Sequence, residues 1–153
     1  MRNRAYMLGL AGVMPFWVLA LLVWWLPFSQ ALWALSTLSL YAALIVSFLG
    51  AVHWGVLLGT QPAERSLIPN GEKGRLMWGV APAVLAFLIL LIPLPEVRVS
   101  LLFIVLLATW WVDRRLLAGM PGDWSYLRLR TLLTVLAGLA MLVALAGLVH
   151  TLR

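Results

Sequence analysis

The sequence has no cysteine and few acidic residues, and both shortages narrow what the protein can do. Without cysteine there is no disulfide, no thiolate metal ligand and no cysteine nucleophile. Only 5 of the 153 residues are Asp or Glu and only 2 are His, which leaves few groups for acid–base chemistry. Neither an H-E-x-x-H motif nor a nucleophile–base arrangement can be found in the sequence. We therefore predict no metal and no cofactor, and we favour a protein that is not an enzyme.

Charged residues of either sign are scarce as well. They make up 10% of the chain, whereas 64% of the residues are hydrophobic and the mean hydropathy is +1.03. A soluble domain is roughly 45–50% apolar, so we expect the lipid bilayer to surround this chain. The net charge of +6 would suggest nucleic acid as a partner of a soluble protein. Here the basic residues lie at the ends of apolar runs, where they meet lipid headgroups, and we expect no nucleic acid.

Long runs without Asp, Glu, Lys or Arg predict membrane-spanning helices. A helix needs about 20 mostly apolar residues to cross the hydrocarbon core. The first run follows Arg2 and Arg4, as a signal peptide would, but it is much longer than the roughly 7–15 apolar residues of a signal core. We therefore predict an all-α polytopic membrane protein, a single-domain bundle of five transmembrane helices. The predicted helices cover about 6–28, 31–59, 76–94, 97–117 and 124–151.

The positions of Lys and Arg predict the direction of these helices. Cytoplasmic connections carry an excess of basic residues, and nine of the 11 lie on one side of the predicted bundle. This places the N-terminus in the cytoplasm and the C-terminus outside. The nine are Arg2, Arg4, Arg65, Lys73, Arg75, Arg114, Arg115, Arg128 and Arg130, against Arg98 and Arg153 on the other side.

Small residues recur at four-residue steps along the second predicted helix. Membrane helices associate where small side chains let their backbones approach closely. We interpret this row as a helix-packing ridge, used either within the chain or for self-association. Its members are Ser39, Ala43, Ser47, Ala51, Gly55 and Gly59.

The same helix carries a histidine in the string "SFLGAVHWG". An ionisable residue inside a membrane is costly and often marks a functional site, although His53 could also serve only to tie helices together. The predicted topology brings most polar side chains to the cytoplasmic end, with His150 at the other end. We expect a shallow pocket there with His53 as its floor, arginines at its rim, and Asp113 paired with Arg114, Arg115 or Arg128. The candidate pocket residues are His53, Trp54, Asp113, Arg114, Trp124, Tyr126 and Arg128.

The string at the start of the fifth predicted helix and the positions of the tryptophans both predict contact with lipid headgroups. Most of the nine tryptophans fall at predicted helix ends, which is typical of an interfacial belt. In "WSYLRLR", Arg128 and Arg130 are expected to reach for lipid phosphates.

The string "YAALIVSFLGAVHWG" (Tyr41 to Gly55), with "VDRRL" and "WSYLRLR" further on, resembles the transmembrane protein 69-like family. This is a domain-of-unknown-function family of small bacterial and mitochondrial membrane proteins. The resemblance extends over nearly the whole chain. It implies a bacterial inner membrane, or less readily a mitochondrial inner membrane, and it implies no reaction, cofactor or substrate.

Three functions stay open at this point. The first is an accessory or assembly subunit that binds another membrane protein. The second is a binder or carrier of a small amphiphile, such as a lipid headgroup or a quinone, in the pocket around His53. The third is an intramembrane enzyme, which would require more buried acid–base groups than this sequence offers.

Overall fold

The computed structural model describes residues 2–59, 71–117 and 123–151, and these ranges are almost entirely helical. They contain no strand, so the prediction of an all-α protein is confirmed for them. The helices are α1 (Arg2–Trp25), α2 (Phe28–Gly59), α3 (Gly71–Leu90), α4 (Pro95–Leu117) and α5 (Asp123–Thr151).

Four of the helices in the described ranges, α1, α2, α4 and α5, are long and apolar enough to cross a membrane. The remaining helix, α3, has a shorter apolar stretch at Gly74–Leu90. The first turns of α3 contain charged residues that the sequence had placed in the preceding loop. The apolar part of α3 is therefore shorter than the helix itself. Four potential crossings are therefore shown, and a fifth crossing by α3 stays a prediction.

Prolines set where two of the helices begin. Pro27 accepts backbone hydrogen bonds from Gln30 and Ala31, each at 2.9 Å, so α2 begins at Phe28 rather than at the predicted residue 31. Pro95 is the first residue of α4, a position at which the missing N–H of proline has no partner to lose. Charge-free runs therefore predict the helices, but they begin or end a few residues away from the true limits.

The other four helices pack against α2 and leave one of its faces exposed. The contacts place α1, α5, α4 and α3 in an arc, each next to the following one, and α2 touches all four. Large apolar side chains fill the space between them, among them the fully buried Phe16, Leu35, Leu102 and Met141. The central position of α2 brings its interior side chains within reach of every other helix.

Glycine allows α2 and α3 to approach closely. A Cβ on Gly50 would lie 2.6 Å from the carbonyl oxygen of Gly79, and a Cβ on Gly79 would overlap the ring of Trp54. The Trp54 indole also donates its N–H to the carbonyl of Leu76 at 3.1 Å. The ring therefore covers a glycine and bonds the backbone about one turn earlier.

The same arrangement joins α1 to α5 at the other end of the molecule. A Cβ on Gly147 would lie 2.6 Å from the Trp24 ring, and Trp24 Nε1 donates to the carbonyl of Val143 at 2.9 Å. Trp24 also stacks on His150, with ring centroids 5.2 Å apart. These two tryptophans thus fix particular helix pairs in addition to lying at helix ends.

The small-residue ridge does not lie on a single face of α2. Ser39 and Ala43 are buried and Ser47 is half-buried, whereas Ala51, Gly55 and Gly59 are exposed. A helix turns every 3.6 residues, so each four-residue step rotates the row by about 40°, and the row leaves the interior. A role of its exposed half in binding another helix stays a prediction.

Candidate functional site

A buried ion-pair cluster joins three helices at the end of the bundle where α2 and α4 finish and α5 begins. His53 of α2 has no exposed area, and its Nε2 lies 2.9 Å from Oδ1 of Asp113 on α4, which is 1% exposed. The other carboxylate oxygen, Oδ2, accepts a hydrogen bond from Nε of Arg130 on α5 at 2.8 Å. One carboxylate thus connects an imidazole and a guanidinium.

Two threonines complete the coordination of the Arg130 guanidinium. Nη1 donates to the hydroxyl of Thr134 at 2.6 Å, and Nη2 donates to the hydroxyl of Thr109 at 3.0 Å. The Thr109 hydroxyl in turn donates a hydrogen bond to the carbonyl oxygen of Leu106 at 2.8 Å. Each of the three guanidinium nitrogens therefore donates to a named oxygen, which a buried charge requires. We call His53, Asp113, Arg130, Thr109 and Thr134 the His53 cluster.

The His53 cluster lies inside the helices that could cross a membrane. His53 belongs to the apolar stretch Phe28–Val56, Asp113 to Pro95–Leu116, and Arg130 to Tyr126–Thr151. Ionised groups at such positions are expensive unless they pair with each other. The pairing of Asp113 with Arg130 meets this requirement, and the two charges cancel.

One ring nitrogen of His53 takes no part in this pairing. Nδ1 is buried and has no hydrogen-bond partner in the described part of the chain. No serine or threonine hydroxyl is therefore placed against this nitrogen as a nucleophile in that part. The described residues also contain no group of three His, Asp or Glu side chains that could hold a metal ion.

Tyr126 lies next to the cluster, one helical turn before Arg130 on α5. Its hydroxyl is buried and makes no hydrogen bond of normal geometry with the residues that the structure describes. It lies beside the Arg130 guanidinium and interacts electrostatically with Asp113 and Arg130. Among the described residues at this site, His53 Nδ1 and the Tyr126 hydroxyl are therefore two buried polar atoms with unused hydrogen-bonding capacity.

Arg75 is a further buried cation at this end of the bundle. It has no exposed area, and its Nη2 donates to the carbonyl of Leu116 at 2.6 Å. That carbonyl belongs to the last turn of α4, where backbone oxygens lack partners within the helix. Arg75 therefore caps α4 from α3, a role that counting basic residues in loops could not predict.

The expected rim arginines have other neighbours. Arg114 and Arg115 are exposed, and their guanidinium carbons lie 5.2 and 3.7 Å from the ring centroids of Trp110 and Trp111. Successive residues of a helix point about 100° apart, so Asp113 faces inward while the two arginines that follow it face outward. Arg130 is the buried cation paired with Asp113, in place of the expected Arg114, Arg115 or Arg128.

The remaining pocket candidates divide into those that meet the His53 cluster and those that do not. Tyr126 lies beside it, and Arg128 is exposed. Trp54 is 43% exposed and packs on α3. The side chain of Trp124 lies outside the described part of the structure.

Sequence reasoning missed Arg130, Thr109 and Thr134 as site residues. The sequence assigned Arg130 to the headgroup region, yet it is only 4% exposed and points into the bundle. A signal was available, because Arg130 and Thr134 are four residues apart in α5, as are Thr109 and Asp113 in α4. Polar residues at this spacing share one helix face.

Nearly the whole chain matches one known family. A family model described as protein of unknown function (DUF3429) covers residues 1–146. The chain belongs to this family. The matched range contains all of the His53 cluster, while the more specific transmembrane protein 69-like name stays an expectation. No curated protein and no solved structure matches the chain.

Proposed function

We propose that this protein is a multi-pass membrane protein that binds the polar end of a small amphiphile at His53 and does not act on it chemically. The observation that carries this proposal is that the described residues provide no hydrogen-bond partner for Nδ1 of His53, while Nε2 of the same ring is held by Asp113 at 2.9 Å. A buried polar atom without a hydrogen bond costs about 1–3 kcal/mol. A cluster serving only to tie helices together would gain from satisfying that atom, whereas a binding site needs it free.

The other contacts of the cluster support binding. Asp113 holds one edge of the His53 ring at 2.9 Å, and Arg130 fixes the carboxylate through Nε at 2.8 Å. The imidazole is therefore oriented before any ligand arrives, which lowers the entropy lost on binding. Near the same helix end, the exposed Arg114 and Arg115 suit anionic headgroups of the surrounding lipid.

We further propose five membrane crossings, with α3 as the third, the N-terminus in the cytoplasm, and a location in the bacterial inner membrane. The excess of Lys and Arg on one side and the resemblance to the transmembrane protein 69-like family support this arrangement. The His53 cluster would then lie in the cytoplasmic half of the bilayer.

Reporter fusions test this topology. A reporter fused after Arg153 should report the outside, and one inserted between Glu64 and Arg75 should report the cytoplasm. A fusion after Gln30 adds a second outside position as a control. Finding the reporters at Arg153 and at the 64–75 loop on the same side would rule out five crossings.

Binding can be tested by comparing lipids that co-purify with matched variants. Wild-type protein extracted in mild detergent should retain one lipophilic compound in near-stoichiometric amount by mass spectrometry. The His53→Leu variant should lose it, because Nδ1 is removed, while the His150→Leu variant should keep it. Elution volume and thermal unfolding verify that each variant is folded. His53→Gln, which keeps an N–H for Asp113, replaces the Leu variant if that one unfolds.

Equal retention of the compound by wild type and a folded His53 variant would refute binding at this site. The proposal would also fail if the wild type carried no compound above the level found in the detergent–lipid background.

A specific observation favours a second function, that of an accessory subunit. No described residue lies within 4 Å of a Cβ placed on Gly55 or Gly59, and both residues are exposed on α2. Such a flat surface lets the backbone of another membrane helix approach. A stoichiometric protein in the same purification, released by Gly55→Leu but not by His53→Leu, would support this function.

A further inference from the structure

The hydrogen bonds of the His53 cluster determine which ring nitrogen of His53 carries the hydrogen. Oδ2 of Asp113 accepts from Arg130, and the positive charge of Arg130 is balanced by an ionised carboxylate. An ionised carboxylate only accepts hydrogen bonds. The 2.9 Å contact between Oδ1 and Nε2 therefore requires a hydrogen on Nε2.

The state of Nδ1 follows from this. A neutral imidazole has a single N–H, so a hydrogen on Nε2 leaves Nδ1 with a bare lone pair. A second ring hydrogen would add a positive charge to a cluster in which Asp113 already balances Arg130. Nδ1 is therefore a buried hydrogen-bond acceptor to which no described residue donates.

We propose that the ligand of this site is a lipid-soluble hydroxyl compound, a phenol or a long-chain alcohol, whose O–H donates to Nδ1 of His53. This inference rests on the proposed binding function and narrows its ligand. The Tyr126 hydroxyl, beside Arg130, is a second buried polar atom at this end of the bundle for which the described residues provide no hydrogen-bond partner.

The same geometry discriminates against two other ligand classes. A quinone carbonyl and the phosphodiester group of a lipid offer only acceptor oxygens, which would place lone pairs against the lone pair of Nδ1. The corresponding quinol has O–H groups and fits. The site therefore selects for a hydrogen-bond donor, and among quinoid compounds it selects for the reduced form.

Nitrogen NMR on protein labelled with ¹⁵N-histidine tests both steps. In detergent near neutral pH, His53 should show a protonated Nε2 and an unprotonated Nδ1. Titration with para-nonylphenol should move the Nδ1 signal saturably toward the protonated range. The methyl ether of the same phenol is larger by one methyl group and has no O–H, so it should bind about tenfold more weakly, as expected for the loss of one hydrogen bond.

The two histidines provide an internal control. His150 is exposed and stacks on Trp24, so its signals should not follow the phenol. The His150→Gln variant assigns the spectrum, because it leaves His53 as the one labelled histidine. Equal shifts at both histidines would indicate a general effect of phenol on the micelle and would overturn the inference.

Other outcomes separate this inference from the proposed function. A hydrogen on Nδ1, or equal effects of phenol and ether, would overturn the hydroxyl ligand. A compound that co-purifies through His53 but has no O–H would do the same and leave the binding function standing. If no compound co-purifies and the Nδ1 signal does not shift with phenol, the hydroxyl ligand and the proposed binding function would both be refuted.

Discussion

Replacing Asp113 with leucine is expected to lower the free energy of unfolding by about 3–5 kcal/mol. The variant leaves the Arg130 guanidinium buried, at 4% exposure, without its counter-charge. Breaking a buried pair by removing one partner is far more damaging than removing both, because an uncompensated charge stays in a medium of low dielectric. Thermal or denaturant unfolding in one detergent measures the change.

Two further variants isolate the cause. Asp113→Leu combined with Arg130→Leu removes both charges and should recover part of the lost stability, because no uncompensated charge stays buried, while Nε2 of His53 lacks its carboxylate acceptor in both variants. Arg114→Leu, an exposed change one residue along the same helix, should alter stability little. A double variant no more stable than the single one would show that the charge pair is not the reason for the loss.

Sequence reasoning located two of the five members of the His53 cluster, His53 and Asp113, but not Arg130, Thr109 or Thr134. His53 and Asp113 attract attention because they interrupt long apolar runs. Arg130 follows closely on other arginines and was assigned with them to the headgroups. Yet α5 begins at Asp123, so Arg130 lies about 10 Å inside the helix at 1.5 Å per residue. Helix length alone would have indicated its depth, whereas its direction depends on the packing of α5 against α4.

The interior face of α2 could have been derived from helical period. The buried positions Ser39, Ala43, Val46, Gly50 and His53 follow alternating steps of four and three residues, close to the 3.6-residue period. A row taken at steps of four drifts away from this face within two turns. The row of small residues therefore lies only partly on the interior face, and the α2 glycine that lies against another helix is Gly50, outside the ridge.

Pairings between helices were beyond the reach of one sequence. Tryptophans at helix ends indicated an interfacial belt, and nothing in the spacing shows that Trp54 covers Gly79 or that Trp24 covers Gly147. Each contact depends on which helices are neighbours and on their relative height. The local composition indicates neither which helices are neighbours nor their relative height, because the residues in contact are separated in the sequence by a helix or more.

Gly50→Ala is expected to destabilise the protein by about 1–3 kcal/mol, the usual penalty for inserting an extra methyl group into a tightly packed interior. The added Cβ would lie 2.6 Å from the carbonyl oxygen of Gly79, which is backbone and cannot rotate away. Pro82 stands at 3.3 Å from the same Cβ and blocks a small shift in its direction. The helices α2 and α3 must therefore separate. Unfolding curves in detergent measure the loss.

Gly55→Ala is the matched control on the same helix, because its Cβ meets nothing within 4 Å. In the absence of a clash, alanine favours a helix over glycine by up to about 1 kcal/mol, so this variant should be neutral or slightly stabilising. Gly50 precedes His53 by one helical turn on the interior face, and a displaced α2 moves the imidazole relative to Asp113. We therefore expect Gly50→Ala, but not Gly55→Ala, to lose the co-purified compound as well. If both variants were equally stable, the close approach of α2 and α3 at Gly50 could not be what positions His53.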